Sequence, residues 1–387
     1  MEDFSIRYKV RLTVVSPISI GAGQERDWVM GVDYVEQGGK IYKLNLRKLL
    51  ESGITASELS GFLISRNGEG LKRKLGDRLR DVSDMVFTSP IRCDNIKTFI
   101  RSELSGKPII PGSSLKGAVR SVIYKYLKAY LDAKNMGSLT DGNDFMRYIS
   151  ISDVEFEKTG LVNTKIFNLQ SDGRSEWIGG WKHGASKTDS HFSASGFNTV
   201  YECLMPGQSA TTTITISPGL FKLWEIGQHK QHPKAEKKLE MLNKGLPFIF
   251  GIINEHMYYY LNKELDFLEK YAENDSVENG SSITDSLNGL FNRLPEEGES
   301  NYCFLKMAAG TGFHSITGDW QFENFIEDEA EGTIFDRKRN RGQAIEPRIV
   351  LPKSRKIAIW KDYSDDEEQD NVRFSPMGFI KLSILKE

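Results

Sequence analysis

Residues 108–127, PIIPGSSLKGAVRSVIYKYL, constrain the fold more than any other stretch of the chain. Two prolines and a glycine keep its first part out of helix, and Ser113 or Ser114 is placed to cap the helix that follows. Leu115, Ala118, Val119, Val122, Tyr126 and Tyr130 recur at i, i+3, i+4 and i+7, an apolar stripe that a sheet would cover. Lys116, Arg120, Tyr124 and Lys128 repeat every four residues on a neighbouring face. The spacing predicts a helix over 114–131 with one wet, basic side.

Period-two runs elsewhere supply strands for it. YKVRLTVV (8–15) sets Val10, Leu12 and Val14 against Lys9, Arg11 and Thr13, and ATTTITIS (210–217) alternates with a threonine face. KIYKLN (40–45), YISISDVEF (148–156), YCFLKMA (302–308), RKIAIW (355–360) and MGFIKLSIL (377–385) read the same way. Residues 46–86 are mixed helix and loop, and 220–300 are helical with a flexible tail. Strands and helices alternate without a regular βαβ rhythm, so the expected class is α+β. Residues 158–200 are polar, glycine-rich and aromatic, with Trp177, Trp181, Phe192 and Phe197; so long a loop is usually functional or disordered.

Composition excludes several classes. No run approaches the ~18 apolar residues of a membrane span. MEDFSIRYKVRLTVV opens acidic and then alternates, unlike a signal peptide. Cys93, Cys203 and Cys303 are far apart with no CxxC pair, which argues against a disulfide framework or a cysteine zinc site and fits a reducing cytoplasm. A net charge of −2 gives no global nucleic-acid signal. The charge is uneven, though: 72–80, 336–343 and 352–356 are basic, whereas 327–332 and 365–370 are acidic, and a basic stripe binds RNA even when acidic loops cancel it in the total.

Four glycine turns stand out: SPISIGAGQE (16–25), IPGSSLKGAVR (110–120), AAGTGFHSITG (308–318) and SPMGF (375–379). Glycine allows close backbone approach, and helix-start amides at 113–116 attract anions. A Walker loop is excluded, because Lys116 precedes Gly117 and alanine follows it. GTG at 310–312 lacks the βαβ unit of a dinucleotide fingerprint. A single-stranded RNA groove, which needs only scattered amides, lysines and aromatic faces, is compatible. Either that or ordinary tight turns and a well-capped helix fits each segment alone. HKQH (229–232) has i, i+3 spacing but no further ligand nearby, so no metal site is expected, and His256 reads as a packed helix residue.

Taken together and in this order, SPISIGAG, IPGSSLKGAVRS, SISDVEF and YECLMPGQSATTTITI followed by a late glycine loop resemble the RAMP superfamily of CRISPR-associated proteins. The resemblance spans roughly 1–217 and, more loosely, 302–387. KMAAGTGF and LPKSRKI…SPMGFIKLSIL are most similar to the end-capping fifth subunit of the type III-A Csm effector complex, with the type III-B Cmr capping subunit as a close variant. The resemblance implies a ferredoxin-like (RRM-like) RAMP core at 1–217 with a thumb-like insertion at about 158–200. A helical segment and a more divergent α+β part with a glycine-rich loop follow at 218–387.

It also implies a non-catalytic RNA-binding subunit that matures or protects the 3′ end of CRISPR RNA (crRNA), with no cofactor. Its partners would be crRNA, the backbone and small subunits of the complex, target RNA and a trimming nuclease. Gly21, Gly23, Gly112, Ser113, Ser114, Lys116, Gly117, Arg120, Gly310, Gly312 and His314 would face RNA, and Trp177 and Trp181 would stack on bases or else close a local core. Some relatives process crRNA with a general-base histidine near the N-terminus; here the first histidine is His183. A processing endoribonuclease is the alternative, with His314 its catalytic candidate. Asp27 and Asp33 lie where backbone subunits carry a target-cutting aspartate, but no motif surrounds either one.

Overall fold

The structure, a computed structural model, describes residues 4–131, 144–171, 177–185, 187–227, 232, 234–272, 277–312, 315, 353–362 and 371–386. The alternating run at the N-terminus forms β1 (Ile6–Val14), with Val10, Leu12 and Val14 buried as their period requires. It lies at the centre of a five-stranded sheet. The basic amphipathic stretch forms α1 (Gly112–Leu131), followed by β2 (Ile149–Ile151), β3 (Ser209–Ile216), α2 (Ala235–Tyr271), β4 (Tyr302–Lys306) and β5 (Phe379–Ile384). Strand order is β4-β5-β1-β3-β2. β1 runs antiparallel to β3, with Val10 opposite Thr212, and antiparallel to β5, with Val10 opposite Ile384. The path β1-α1-β2-β3-α2-β5 in the order β5-β1-β3-β2 is the ferredoxin-like arrangement, widened by β4 at one edge.

Leu115, Ala118, Val119 and Val122 of α1 pack on this sheet with Ile249, Phe250 and Ile253 of α2. β5 reaches β1 from the far end of the chain, so residues 1–217 supply only three of the five strands. The boundary expected at 217 therefore falls inside the sheet. α2 is broken at Gly245, whose φ of 75° a side chain would strain and where a Cβ would meet the Tyr8 hydroxyl at 2.2 Å. Pro247, which has no amide hydrogen to donate, follows at the start of the second half.

The described residues of the 158–200 stretch are largely strand. Gly160–Ser171 pairs along one edge with Asn198–Cys203 and then Trp177–Lys182, and along the other with Ser354–Asp362. This second sheet thus joins the expected insertion to the C-terminal part of the chain. Its core holds Phe167, Trp181, Phe267, Ile357 and Phe374. A smaller unit sits between β1 and α1: strands Tyr34–Gln37, Lys40–Leu44 and Ser83–Thr88 with three short helices around Leu49, Leu59, Leu71 and Leu75. Among the described residues, no helix is long and apolar enough to cross a membrane.

Candidate functional site

The four glycine turns, far apart in sequence, are brought into one neighbourhood. Gly378 donates its amide to the Pro17 carbonyl (2.9 Å), Ala309 to Ser19 (3.0 Å), Met307 to Gly378 (2.8 Å) and Gly207 to Val14 (2.9 Å). These bonds stack the turns at 16–23, 308–312 and 375–379 where β1 ends and β5 begins. The fourth joins through Ile100, which donates to Ile20 (2.9 Å) and accepts from Ile109 (3.2 Å) just before α1. Gly21 and Gly312 are exposed, and no atom lies within 4 Å of where a Cβ would stand, so a partner can reach their backbone. Gly23 is also exposed, whereas Gly310 is half-buried against Met377.

Glu202, in the YECLMPG segment, locks this neighbourhood from below. It is fully buried and accepts from the Phe99 amide (2.9 Å), the Thr159 hydroxyl (2.5 Å) and the Arg101 guanidinium. Beside it runs a groove of about 920 Å³ between residues 24–29, 91–97 and 195–200. Asp27 lines it and is held by Lys97. Asp33 is turned to structural work, accepting from the Val29 amide (3.0 Å) and pairing with Lys43 (3.2 Å).

The start of α1 differs from the expected one. The helix begins at Gly112, so Ser113 and Ser114 lie within its first turn rather than capping it. The cap comes from the SISDVEF segment: Asp153 accepts from the Gly112 amide at 2.7 Å. Gly112 has to be glycine, because a Cβ would meet the Ile151 carbonyl oxygen at 2.1 Å. A carboxylate thus already satisfies one of the amides that would attract an anion. Ser113 and Gly117 are exposed, and Ser114 and Lys116 half-buried. Burial lowers the Lys116 ammonium from its usual range, partly offset by nearby Asp144. Arg120 reaches the buried Asp144 at 2.9 Å.

Of the two tryptophans, Trp177 is half-buried with the Lys353 ammonium 4.5 Å from its ring centre. Trp181 departs from the base-stacking expectation. It is fully buried, packs edge-on against Phe167 and Phe192, and donates its indole N–H to the Glu278 carbonyl at 2.7 Å. It closes a local core and offers no free face. His314 and His229 lie outside the described residues, as do the basic run at 336–343 and both acidic runs. His232 is buried, and His256 packs toward the Ser315 carbonyl at 2.9 Å. Among the described residues no group of three or more His, Cys, Asp or Glu is placed to hold a metal, and the three cysteines are free.

Sequence reading missed the roles of Asp153 and Glu202 as links between segments, although both stand in motifs it singled out. It counted Lys356 only as part of the basic run at 352–356 and did not single out Lys306, because each sits in a strand where its partners come from elsewhere in the chain.

A chain of a cryo-EM structure of a Csm–crRNA–target RNA ternary complex of a type III-A CRISPR-Cas system superimposes with a TM-score of 0.59 at 16% identity, covering 98% of this chain and 100% of that one. The crystal structure of Csm5 from T. onnurineus gives 0.58 at 15%, covering 97% and 100%. At such identities the likeness is one of fold, extended over the whole length of both chains. No curated protein sequence matches. Residues 11–329, however, match the sequence model of the RAMP superfamily, and the chain belongs to that family.

Proposed function

We propose that this chain is a non-catalytic RNA-binding subunit of a type III-A CRISPR effector complex, which caps the 3′ end of crRNA and helps mature or protect it. The observation that carries the reading is the end-to-end match in fold to Csm5 and to a chain of a Csm–crRNA–target RNA complex. The gathered glycine turns add a surface suited to RNA. Backbone exposed at Gly21, Gly23 and Gly312 lets a phosphodiester chain approach closely, and Ser113, Lys116 and Gly117 extend that surface along α1. Partners on this reading are crRNA, the backbone and small subunits, target RNA and a trimming nuclease.

The non-catalytic part draws on what the described polar groups do. Asp27 and Asp33 are engaged by Lys97 and Lys43, and the ring of His183, the first histidine, is bonded to the His191 carbonyl at 2.8 Å. All three are thus already engaged within the chain.

The test is to co-express the chain with and without its genomic neighbours and map the ends of any RNA that copurifies. CrRNA with a uniform 3′ end, bound only in the multi-subunit form, is the expected result. RNA freshly cut within repeats by the chain alone would make it a processing endoribonuclease and overturn the assignment.

A further inference from the structure

A cavity of about 160 Å³ lies beneath the glycine turn at 310–312, walled by strand Ser354–Asp362, by Tyr260 of α2 and by Lys306 at the end of β4. It falls short of the ~300–1,000 Å³ of pockets that enclose a drug-sized ligand. It has room for about five waters at ~30 Å³ each, which suits one small oxyanion group and not a nucleoside.

The charges on its wall do not cancel. Arg355 is spent on Glu264, which it grips at 3.0 and 3.1 Å. Lys306 is buried, and its ammonium donates to the Tyr260 hydroxyl at 2.5 Å; the Lys356 ammonium donates to the Tyr201 hydroxyl. Among the described residues neither ammonium has a carboxylate within ion-pair distance. Lys306 also lies 4.9 and 5.1 Å from the Tyr260 and Phe379 ring centres, and Lys356 4.5 Å from that of Tyr201. Hydroxyls and ring faces offset part of the cost of burying a cation but supply no counter-charge, which an anion would bring. Burial has pulled the Lys306 ammonium down to about 8, with Glu264 opposing and Arg355 adding to that shift. It therefore remains largely charged at neutral pH. Gly312, exposed at the rim, leaves the backbone there accessible.

We propose that this cavity is a phosphoryl-binding site, in which Lys306 and Lys356 neutralise a phosphate group held under the Gly310–Gly312 turn. For the source of the phosphate, an RNA end or an RNA backbone, the proposal rests on the RNA-binding reading above. The chemistry of the site does not.

The experiment uses the full chain and its Lys356→Met variant, chosen because Lys356 is only half-buried and its replacement keeps the methylene stem. Thermal midpoints are compared in inorganic phosphate and in chloride of equal ionic strength. Affinities are measured for one single-stranded RNA carrying either a 3′-phosphate or a 3′-hydroxyl. Phosphate is expected to raise the wild-type midpoint and not the variant's. A preference of about tenfold for the phosphorylated RNA, the scale of one charge-assisted contact, that Lys356→Met erases would identify an end phosphate. Equal binding of both RNAs, weakened about tenfold by the variant, would identify a backbone phosphate. Phosphate stabilisation without RNA binding would uphold the site and sink the RNA-binding reading. If phosphate leaves the wild-type midpoint unchanged and Lys356→Met alters binding of neither RNA, the site proposal is overturned. Lys306→Met repeats the test from the buried side of the cavity.

Discussion

Two buried polar clusters in this molecule are built on opposite terms. Around Glu202, a fully buried carboxylate receives three donors from two separate segments, Phe99 and Arg101 from one and Thr159 from the other, and closes the neighbourhood of the glycine turns. Between α1, α2 and helix Pro218–Gly227, the buried Tyr148 hydroxyl, both ring nitrogens of His232 and the Lys238 ammonium have no hydrogen-bond partner among the described residues. The His232 ring stacks on Phe221 at 5.3 Å and meets Tyr148 edge-on at 6.1 Å, and Lys238 lies 5.9 Å from the Phe145 ring centre. A satisfied buried charge ties segments together, and removing it exposes the cost of its orphaned partners. An unsatisfied one already carries that cost in the folded state. The two clusters should therefore answer mutation with opposite signs.

The largest effect is expected at Glu202. Glu202→Ala strips three donors of their acceptor and leaves Arg101 without its counter-charge, which should destabilise the fold by about 3 kcal/mol or more. Urea unfolding measures it, and a loss below about 1 kcal/mol would show that the network adds little. Next comes the acid response of His232. Burial, reinforced by nearby Lys238 and opposed by Asp144, lowers its imidazole to about 4. The unfolded chain takes up a proton near pH 6.5 that the folded chain refuses until about pH 4. Stability should thus fall as pH drops across that window, by up to about 3 kcal/mol, while changing little from this source above pH 7. His232→Phe, which keeps the ring stacked on Phe221, should flatten the fall; an unchanged pH profile would assign it to other groups.

Lys238 should give a gain. Its ammonium is lowered to about 8, by burial first, with Glu225 and Asp144 opposing. Lys238→Met keeps the stem and removes a buried charge, and should stabilise the chain by about 1–2 kcal/mol at pH 7. That gain should shrink from pH 8 to 10.5, where the unfolded chain holds a proton the folded lysine has shed and the wild type becomes more stable. A loss of stability in the variant would mean that Lys238 is compensated in a way its described surroundings do not show.

What could be read in the sequence follows the same divide between local and distant causes. The stripe Leu115, Ala118, Val119 and Val122 specifies α1 without help from elsewhere, and Val10, Leu12 and Val14 specify the buried face of β1, because period and burial coincide within a few residues. The α+β class and the glycine turns were legible for that reason. The start of α1 was not, since its cap is Asp153, about forty residues downstream in another segment. Nor was the fate of Trp181. A tryptophan in a polar, glycine-rich stretch looks exposed until Phe192, Phe374 and Glu278 close over it from three parts of the chain. The pairing of β5 with β1 was likewise invisible, because strand alternation fixes a face and not a neighbour.

The smallest effect separates the two cations on the wet side of α1. Arg120 faces the nearly fully buried carboxylate of Asp144, whereas Lys116 has only a distant share in that charge and pairs with no carboxylate among the described residues. If α1 lies along RNA, Lys116→Ala in the assembled complex should reduce the slope of log affinity against log salt by about 0.7, the share of one phosphate contact on a single strand. Arg120→Ala should leave the slope nearly unchanged and show instead as lost stability, because Asp144 is then buried without its partner. Equal loss of slope in both variants would mean that Arg120 leaves Asp144 when RNA binds. Arg120 would then belong with the charges that are available to a ligand, and the line drawn here between paired and available charge would not hold on α1.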